Sequence, residues 1–395
     1  MFEQLQPSQP DAILMLMDMY SQDPNPEKVD LGAGIYKNEQ GQAPVLKAVK
    51  EAERRFFATE DTKAYIGPPG EAGFYQAISE LIFGKDHSAL GENRIRTIQT
   101  PGGSGALRVA AEMILKAQPG ARIWASDPTW ANHIPLLSGA GIKLEQYPYY
   151  DADSHAVKFD AMAGALEKVT AGDLVLLHGC CHNPTGADLT REQWQTVAEI
   201  AARRGFIPFI DSAYQGFAQG LDEDSYGTRL LAEKLPELIV ASSCSKNFGI
   251  YRERTGALSF VAANERIAQT CLTQMATVVR CLYSMPPTHG ASLVRIVLTD
   301  PQLRAEWEHE LTAMRNRINS MRSLVAEKLQ QVTGRDFSFI ASQNGMFSFL
   351  GISHDQVLRL RNEFGIYMVD SGRISIPGLT AANMDYFTRS MSAIL

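Results

Sequence analysis

Short apolar segments alternate with helix-like segments through the middle of this 395-residue chain, and this alternation restricts the fold more than any other feature. The apolar segments are Arg96–Thr100, Arg122–Ser126, Asp173–Gly179, Phe206–Asp211 and Glu237–Ser242. A strand that is apolar throughout is typical of a parallel sheet covered by helices on both faces. The alternation therefore predicts an α/β fold with a mostly parallel sheet.

Polar and aromatic residues follow each of these predicted strands. They are Ser104, Trp130, Asn183, Asp211 and Lys246. In an open α/β sheet, ligands bind outside the carboxyl ends of the strands. We therefore expect the five residues to converge on one site.

The segment Ser242–Leu258 supplies the most reactive candidate, Lys246. Ser243 and Ser245 offer hydroxyl groups beside it, and Arg254 follows closely. A lysine whose pKa is lowered forms Schiff bases with carbonyl compounds, and hydroxyls with an arginine suit a phosphate. Taken alone, a lysine beside serines is more often an ordinary loop lysine. Together with the other residues at the strand ends, the segment indicates pyridoxal phosphate, which carries both an aldehyde and a phosphate.

Glycines and one buried acid add to this site. The sequence PGGSG at 101–105 opens a predicted helix, and the N–H groups at a helix start attract phosphate. It is not a Walker loop, because no Lys-Ser/Thr pair follows the glycines. Asp211 ends a buried strand, where a carboxylate is costly unless a cation or a strong donor meets it. Gly32 and Gly34 lie in a strand-like segment, 29–41, and fit equally a tight backbone passage or close approach to a ligand.

Composition argues against several other classes of protein. Lys and Arg total 37 and Asp and Glu total 44, which gives a net charge of −7 and disfavours nucleic acid or an anionic membrane as partner. The first residues lack a basic segment and Asp18 interrupts their apolar run, so neither a signal peptide nor a membrane span is expected. Five cysteines, including the adjacent Cys180 and Cys181, fit reduced thiols in a cytoplasm. His178 and His182 flank that pair, but no second Cys/His pair stands at zinc-finger spacing, so no metal is expected.

The two ends of the chain differ in pattern from its middle. Residues 1–43 contain one helical segment, and the chain after Gly334 mixes short strands with helices. We therefore predict a large ligand-binding domain at 44–312 and a smaller α+β domain formed by 1–43 together with 313–395.

The order of the motifs resembles that of class I aminotransferases of the aspartate and aromatic amino acid branch. The matching motifs are GGSGALR, DPTWANH, HGCCHNPTG, DSAYQGF, SKNFGIYRERTG, YSMPPTHGA and SGRISIPG, and they extend over essentially the whole chain. Any one of them is weak, whereas the set in this order is highly specific. The resemblance implies the pyridoxal-phosphate-dependent transferase type I fold and a homodimer with active sites at the subunit interface.

The resemblance also implies catalytic roles. Lys246 would bind the aldehyde of pyridoxal phosphate and later move the proton between the substrate's Cα and the cofactor. Asp211, supported by His133, would pair with the pyridine nitrogen and keep it protonated, which makes the ring an electron sink. Asn183 and Tyr214 would bond the cofactor's phenolic oxygen.

Other residues would hold the cofactor and the substrate, again by resemblance. Trp130 would stack on the ring, and both Trp130 and Asn183 would contact the substrate. Arg373 would bind the substrate's α-carboxylate through paired hydrogen bonds. The backbone of Gly34 would lie beside the substrate. Arg280 of the partner subunit would meet the side chain of a dicarboxylate. The phosphate ligands would be Gly103, Ser104, Ser243, Ser245, Arg254 and Tyr65 of the partner subunit.

Substrate preference rests on a few positions. Met285, Ala64 and Ser104 stand where aspartate-specific relatives typically have Asn, Asn and Thr, which resembles the aromatic-active branch. Arg280 and Lys37 are as in the aspartate enzymes, so dicarboxylates should still bind. We expect ping-pong transamination of aromatic amino acids, and of aspartate, with 2-oxoglutarate.

Three alternatives stand beside this expectation. The first is a strict aspartate aminotransferase. A pyridoxal phosphate lyase or decarboxylase is less favoured, because Arg280 and Arg373 suit an enzyme that binds two differently charged substrates in turn. A non-catalytic protein of the same fold would be expected to lack Lys246 or Asp211 and to carry a DNA-binding segment, for which this chain is too short.

Overall fold

The structure is a computed structural model that describes residues 1–7 and 11–395. The chain forms two compact units: Pro44–Arg317, and Met1–Ala43 combined with Ile318–Leu395. The sequence analysis predicts that the larger domain ends at residue 312, and in the structure the larger unit ends at Arg317. Both positions lie inside one continuous helix, Pro301–Thr333, so no turn or helix breaker marks the boundary in the sequence.

The strands of the described residues are short and are numbered in chain order. They are β1 (Val29–Asp30), β2 (Ile95–Pro101), β3 (Arg122–Asp127), β4 (Lys143–Pro148), β5 (Tyr150–Asp151), β6 (Ala156–Val157), β7 (Leu174–His178), β8 (Ile207–Ser212), β9 (Leu238–Ser243), β10 (Thr255–Val261), β11 (Phe347–Phe349), β12 (Ile366–Tyr367) and β13 (Arg373–Ser375).

The α-helices of the same residues vary widely in length. They are α1 (Ala12–Gln22), α2 (Lys47–Thr59), α3 (Ala72–Phe83), α4 (Ser88–Gly91), α5 (Gly102–Ala117), α6 (His133–Ser138), α7 (Phe159–Leu166), α8 (Arg191–Arg204), α9 (Tyr226–Lys234), α10 (Glu265–Leu282), α11 (His289–Thr299), α12 (Pro301–Thr333), α13 (Ser338–Ser342), α14 (His354–Phe364) and α15 (Ala381–Ile394). Over the described ranges, none of these helices combines the length and the apolar character needed to cross a membrane.

A seven-stranded sheet with the order β2-β10-β9-β8-β7-β3-β4 forms the centre of the larger unit. β10 pairs antiparallel with both of its neighbours, and the remaining pairs are parallel. The mostly parallel α/β sheet predicted from the apolar segments is therefore confirmed. Because β10 runs backwards, its start lies at the same edge as the carboxyl ends of the other strands.

Helix α5 packs against the sheet beside β9 and β10. Its buried face includes Ala106, Ala110 and Ala111, whose small side chains let the helix approach the strands closely. Larger buried side chains such as Phe209 and Leu258 fill the same core, and each contributes about 1.5–3 kcal/mol by leaving water. This core fixes the amino end of α5 relative to the strand ends.

Helix α8 begins with a capping box. The Thr190 side chain accepts the N–H of Gln193, and the Gln193 side chain accepts the N–H of Thr190. Gly205, with a φ of +73°, ends the helix in a left-handed conformation that glycine adopts without strain. The cap fixes where the loop from β7 to α8 ends, and that loop carries Asn183.

The smaller unit is α+β and contains two small sheets. β1 pairs in parallel with β12, and β11 pairs antiparallel with β13. The prediction of a strand-like segment over 29–41 is wrong beyond Asp30. The Asp30 carboxylate accepts the N–H of Gly32 at 3.0 Å and forms an ion pair with Lys37 at 2.7 Å. These bonds turn the chain, so the pairing with β12 stops after two residues.

Candidate active site

The amino end of α5 forms a cradle for an anion. No side chain caps this helix, so its first-turn N–H groups can serve a ligand. A Cβ on Gly102 would lie 2.5 Å from the Arg254 guanidinium, and one on Gly103 would lie 3.2 Å from the Cβ of Ser243. The Ser243 hydroxyl bonds the Ser245 hydroxyl at 3.1 Å. The start of α5, Ser243 and Ser245 at the end of β9, and Arg254 just before β10 are therefore neighbours, with Ser104 in the first turn of α5.

Gly256 allows β10 to lie this close to α5. A Cβ at this position would lie 2.5 Å from the carbonyl carbon of Gly102 and 2.6 Å from the carbonyl oxygen of Ser242. Both neighbours are backbone atoms, which cannot rotate away as a side chain could. Position 256 therefore requires glycine, because any side chain there would push β10 away from the amino end of α5.

Lys246 lies in the turn that follows β9, which the N–H of Gly249 closes on the Lys246 carbonyl at 3.0 Å. Its Nζ lies 5.0 Å from the centre of the Tyr214 ring. Burial lowers the pKa of the Lys246 amine; the Asp211 carboxylate opposes this effect and the Arg254 guanidinium adds to it. The lowered pKa makes the amine easier to deprotonate and so a better nucleophile than an exposed lysine.

Asp211 lies near the end of β8 and is buried. His133 Nε2 and Asp211 Oδ2 are 2.8 Å apart, and the His133 ring is fully buried. Burial favours the neutral carboxyl, but the hydrogen bond from His133 and the nearby Lys246 amine outweigh it, so the pKa of Asp211 lies below its usual value. Trp130 meets the His133 ring edge-to-face at 5.2 Å. The strand end thus holds an ionised carboxylate in a fixed orientation.

A hydrogen-bonded chain extends from Asp211 beyond His133. Thr129 Oγ1 lies 2.8 Å from His133 Nδ1 and 3.3 Å from His178 Nε2. An ionised carboxylate only accepts, so His133 donates from Nε2 and its Nδ1 accepts the Thr129 hydroxyl proton. The Thr129 oxygen can then accept from His178. Burial and the neighbouring His133 lower the pKa of His178 to about 3, which keeps that ring neutral.

Thr129 and His178 were not among the predicted site residues. His178 stands at the end of β7, opposite Asp211 of β8 in the sheet register. Thr129 stands four residues before His133, a spacing that a turn preceding α6 brings together. Those two positional signals are visible in the sequence and could have identified both residues.

The loop from β7 to α8 holds Asn183 in a buried position. The Asp188 carboxylate accepts the N–H groups of Cys181 and His182, at 2.9 and 2.8 Å. The His182 ring stacks on Tyr149 with centroids 4.2 Å apart. Backbone bonds and stacking therefore fix the loop on both sides of Asn183, and Tyr214, after β8, is buried as well.

Cys180, Cys181 and Asp224 form a buried cluster whose side-chain ligand atoms lie within 4.8 Å of one another. The Asp224 carboxylate accepts four backbone N–H groups from residues 216–220, so its lone pairs are already used. Hydrogen bonding with Cys181 and burial hold the pKa of the Cys180 thiol well above its usual value. A zinc site needs thiolates and available lone pairs. The cluster instead anchors the loop after β8.

The smaller unit holds the predicted carboxylate-binding residue, Arg373, at the start of β13. Its side chain is buried, and Nη2 donates to the carbonyl of Gly32 at 2.7 Å. The guanidinium carbon lies 4.2 Å from the centre of the Phe347 ring. Gly34 belongs to the same unit, where a Cβ would lie 2.7 Å from Cζ of Phe347.

Two predicted site residues lie on the surface of the larger unit. Tyr65 is 94% exposed, on the segment between α2 and α3. Arg280 is exposed in the last turn of α10, where it donates to the Ser284 hydroxyl. Their side chains are thus accessible to another molecule.

A nucleophilic amine, an oriented carboxylate and an anion cradle at one sheet edge define an enzyme that bonds a carbonyl ligand through lysine. The chain belongs to the family described as aminotransferase class I and II, whose model matches residues 26–391. It is therefore an aminotransferase, with amino acid and oxoacid substrates.

Three similar proteins place the chain more closely. An aspartate aminotransferase of Salmonella typhi is 49% identical over 100% of both chains. An aromatic-amino-acid aminotransferase of Paracoccus denitrificans is 46% identical over 99% of both. A solved aromatic-amino-acid aminotransferase from Burkholderia pseudomallei, covalently bound to pyridoxal phosphate, has a TM-score of 0.98 and 41% identity, covering 100% of this chain and 99% of that one. The fold predicted by resemblance is confirmed.

Proposed function

We propose that this chain is a pyridoxal-phosphate-dependent transaminase that moves the amino group of aromatic amino acids, and of aspartate, to 2-oxoglutarate by a ping-pong mechanism. The observation that carries the proposal is the position of Lys246. Its amine, with a pKa lowered by burial, stands at the same sheet edge as the ionised Asp211 and the anion cradle of α5.

The residues present fit this cofactor. The cradle lined by Gly103, Ser243 and Arg254 matches a phosphate in charge and donors, and side chains larger than glycine would fill it. Asp211 matches a protonated ring nitrogen, since it is a buried carboxylate that already has one oriented donor. Lys246 supplies the amine that an aldehyde requires.

When bound, pyridoxal phosphate supplies an electron sink that stabilises negative charge at the substrate's Cα. Lys246 Nζ would take the proton from Cα and later return a proton, a role that its lowered pKa favours. The Asp211 carboxylate, oriented by His133 Nε2, would keep a proton on the ring nitrogen. Trp130 supplies a flat apolar surface beside the His133 ring, and Tyr214 packs beside the lysine amine.

Arg373 binds the α-carboxylate common to all the proposed substrates. Its guanidinium is held by the Gly32 carbonyl and the Phe347 ring, so it is oriented before the substrate arrives. Arg280 serves the second carboxylate of aspartate or 2-oxoglutarate. Its exposure and its position at the end of α10 leave the side chain able to move away when an aromatic ring occupies that place.

A strict aspartate aminotransferase is the second candidate, because relatives named as aspartate aminotransferases also match the full chain. The aspartate enzyme reported above is 49% identical, against 46% for the aromatic enzyme. Against it stand Met285, Ala64 and Ser104, which are less polar or smaller than the residues typical of aspartate-specific relatives.

Two half-reactions on the protein loaded with pyridoxal phosphate distinguish these functions. Phenylalanine or aspartate is added without an oxoacid, and the visible absorption of the cofactor is followed. We expect both amino acids to change the spectrum. A change with aspartate alone would establish the strict aspartate enzyme, and no change with either would overturn the proposal.

We further propose a cytoplasmic homodimer in which Tyr65 of the partner subunit completes the phosphate site and Arg280 of the partner subunit the substrate site. The exposure of both side chains supports this arrangement, as does the 89% exposed Phe57 at the end of α2. Exposed aromatic residues of this size commonly mark an interface.

A hybrid dimer tests the shared site. Lys246→Ala and Arg280→Ala homodimers should each transaminate aspartate poorly. Mixed after dissociation, they should regain activity, because one site of each hybrid contains neither substitution. Absence of recovery in a mixture that demonstrably contains hybrids would place Arg280 in its own subunit's site.

A further inference from the structure

Arg322 is fully buried in the part of α12 that belongs to the smaller unit. Its guanidinium donates to backbone carbonyls of a single segment, residues 340–347. The distances are 3.0 Å from Nε to Gly345, 2.9 Å from Nη1 to Ile340, and 2.8 Å from Nη2 to both Asn344 and Gly345. One arginine thus ties together the end of α13 and the loop after it.

The same guanidinium determines where β11 begins. Nη2 also donates to the carbonyl of Phe347, the first residue of that strand. The strand continues by pairing Phe347 with Ser375 and Phe349 with Arg373 of β13, and the N–H of Ile376 bonds the Met346 carbonyl at 2.8 Å. Phe347 is therefore held at its carbonyl by Arg322 and across the sheet by β13.

The Phe347 ring links the segment held by Arg322 to the two proposed substrate-binding residues of this unit, Arg373 and Gly34. It lies 4.2 Å from the guanidinium carbon of Arg373, a cation–π contact that fixes the plane of the arginine. It also occupies the space where a Cβ on Gly34 would stand, 2.7 Å from Phe347 Cζ. A shift of Phe347 would therefore move both Arg373 and the backbone at Gly34.

We propose that Arg322 is a positioning residue for carboxylate binding, acting through Phe347 on Arg373. This inference rests on the proposed function, since it assumes that Arg373 binds the substrate's α-carboxylate. Arginine is required because its planar fork reaches carbonyls spread over residues 340–347, whereas the single ammonium of lysine cannot bond all of them at once. Displacing a substrate-orienting group by about 1 Å can cost about 100-fold in activity.

The test measures carboxylate affinity rather than activity alone. The holoenzyme is titrated calorimetrically with 3-phenylpropionate, which is phenylalanine without its amino group and carries one carboxylate. The variants are Arg322→Lys and Phe347→Leu. The matched control is Arg315→Lys, seven residues earlier on α12, where the arginine donates to the Gly216 carbonyl in the larger unit.

We expect Arg322→Lys and Phe347→Leu each to raise the Kd of 3-phenylpropionate about 10- to 100-fold, with KM for phenylalanine rising more than kcat falls. Cofactor affinity and the visible spectrum should stay unchanged. Because both changes act on the same contact, the double variant should lose less than the product of the two single effects. Arg315→Lys should keep the wild-type Kd within about twofold.

A folded Arg322→Lys variant with the wild-type Kd would overturn the inference. If that variant cannot be obtained folded, Phe347→Leu decides, because Arg322 is proposed to act on Arg373 through this ring. An unchanged Kd there refutes the mechanism, and a raised Kd supports it. Failure of the wild-type holoenzyme to bind 3-phenylpropionate or to transaminate would instead refute the proposed function itself.

Discussion

Replacing Thr129 by valine should separate Asp211 from the rest of its hydrogen-bonded chain. Valine has nearly the shape of threonine but leaves His133 Nδ1 and His178 Nε2 without the hydroxyl between them. A buried polar group that loses its partner costs about 1–3 kcal/mol. His133 keeps its donor on Asp211 but loses the partner that holds the other side of its ring, so the orientation of the Nε2 donor is no longer fixed.

The expected loss of activity follows from the bond between His133 and Asp211. A hydrogen bond to a charged group contributes about 1.5–3 kcal/mol, and each 1.36 kcal/mol is a factor of ten in rate. We therefore expect kcat/KM for phenylalanine with 2-oxoglutarate to fall about 10- to 150-fold in Thr129→Val. Thr129→Ser keeps the hydroxyl and should restore most of the activity.

Thr185→Val is the matched control for this experiment. The Thr185 hydroxyl bonds His182 Nδ1 at 2.9 Å and is fully buried, whereas Thr129 is half-buried, and this bond lies outside the chain that ends on Asp211. Its removal should lower thermal stability at least as much as Thr129→Val does, while leaving kcat/KM nearly unchanged. If Thr129→Val and Thr185→Val show the same small effect on kcat/KM, the reasoning about the orientation of His133 is refuted.

Three further outcomes follow from the larger unit. Lys246→Ala should fold yet hold pyridoxal phosphate only non-covalently, so that borohydride treatment fixes the cofactor to the wild-type protein but not to the variant; covalent retention at the wild-type level would contradict the assignment. His178 has its pKa lowered from 6.5 to about 3 in the folded state, so the unfolded state binds the extra proton between these values and stability falls as pH drops. Between pH 7 and pH 4.5 the free energy of unfolding, measured in urea, should therefore fall about 3 kcal/mol less in His178→Asn than in wild type. Equal pH dependence of the two proteins would argue against a neutral His178 ring in the folded state. Gly256→Ala should force β10 away from the backbone of Gly102 and Ser242, with a cost of about 1–3 kcal/mol in stability and a measurable rise in the Kd for pyridoxal phosphate; an unchanged Kd would mean that the anion cradle tolerates a wider gap.

The sequence predicts the sheet well, because the sheet depends on local pattern, and the predicted cofactor residues lie at the ends of its strands. Apolar segments locate β7, β8 and β9 within a residue or two, and the residue after each strand end is set by chain continuity. Asp211 could be singled out because a buried acid at a strand end demands a partner. Those signals need no knowledge of distant contacts.

Other features depend on contacts between remote parts of the chain, which periodicity does not report. Arg322 meets residues 340–347 only when α12 and α13 pack together, and in the sequence it is one of several charged residues of a long helix. The turn after Asp30 depends on a side chain accepting a backbone N–H, which overrides the extended pattern of the segment. The catalytic role of each predicted site residue is still a prediction, and the experiments above test it.

The position of β10 in the sheet also sets an order of events for the newly made chain. β2 stands at the sheet edge, and its neighbour there is β10, which follows it by more than a third of the chain. The amino end of α5 follows β2 directly, so the two halves of the anion cradle meet only when β10 inserts between β2 and β9. Closing so long a loop is slow relative to local contacts. A ligand that bridges α5 and β10 binds the closed sheet and not the open one, so cofactor supply during synthesis should govern how completely nascent chains become resistant to proteases.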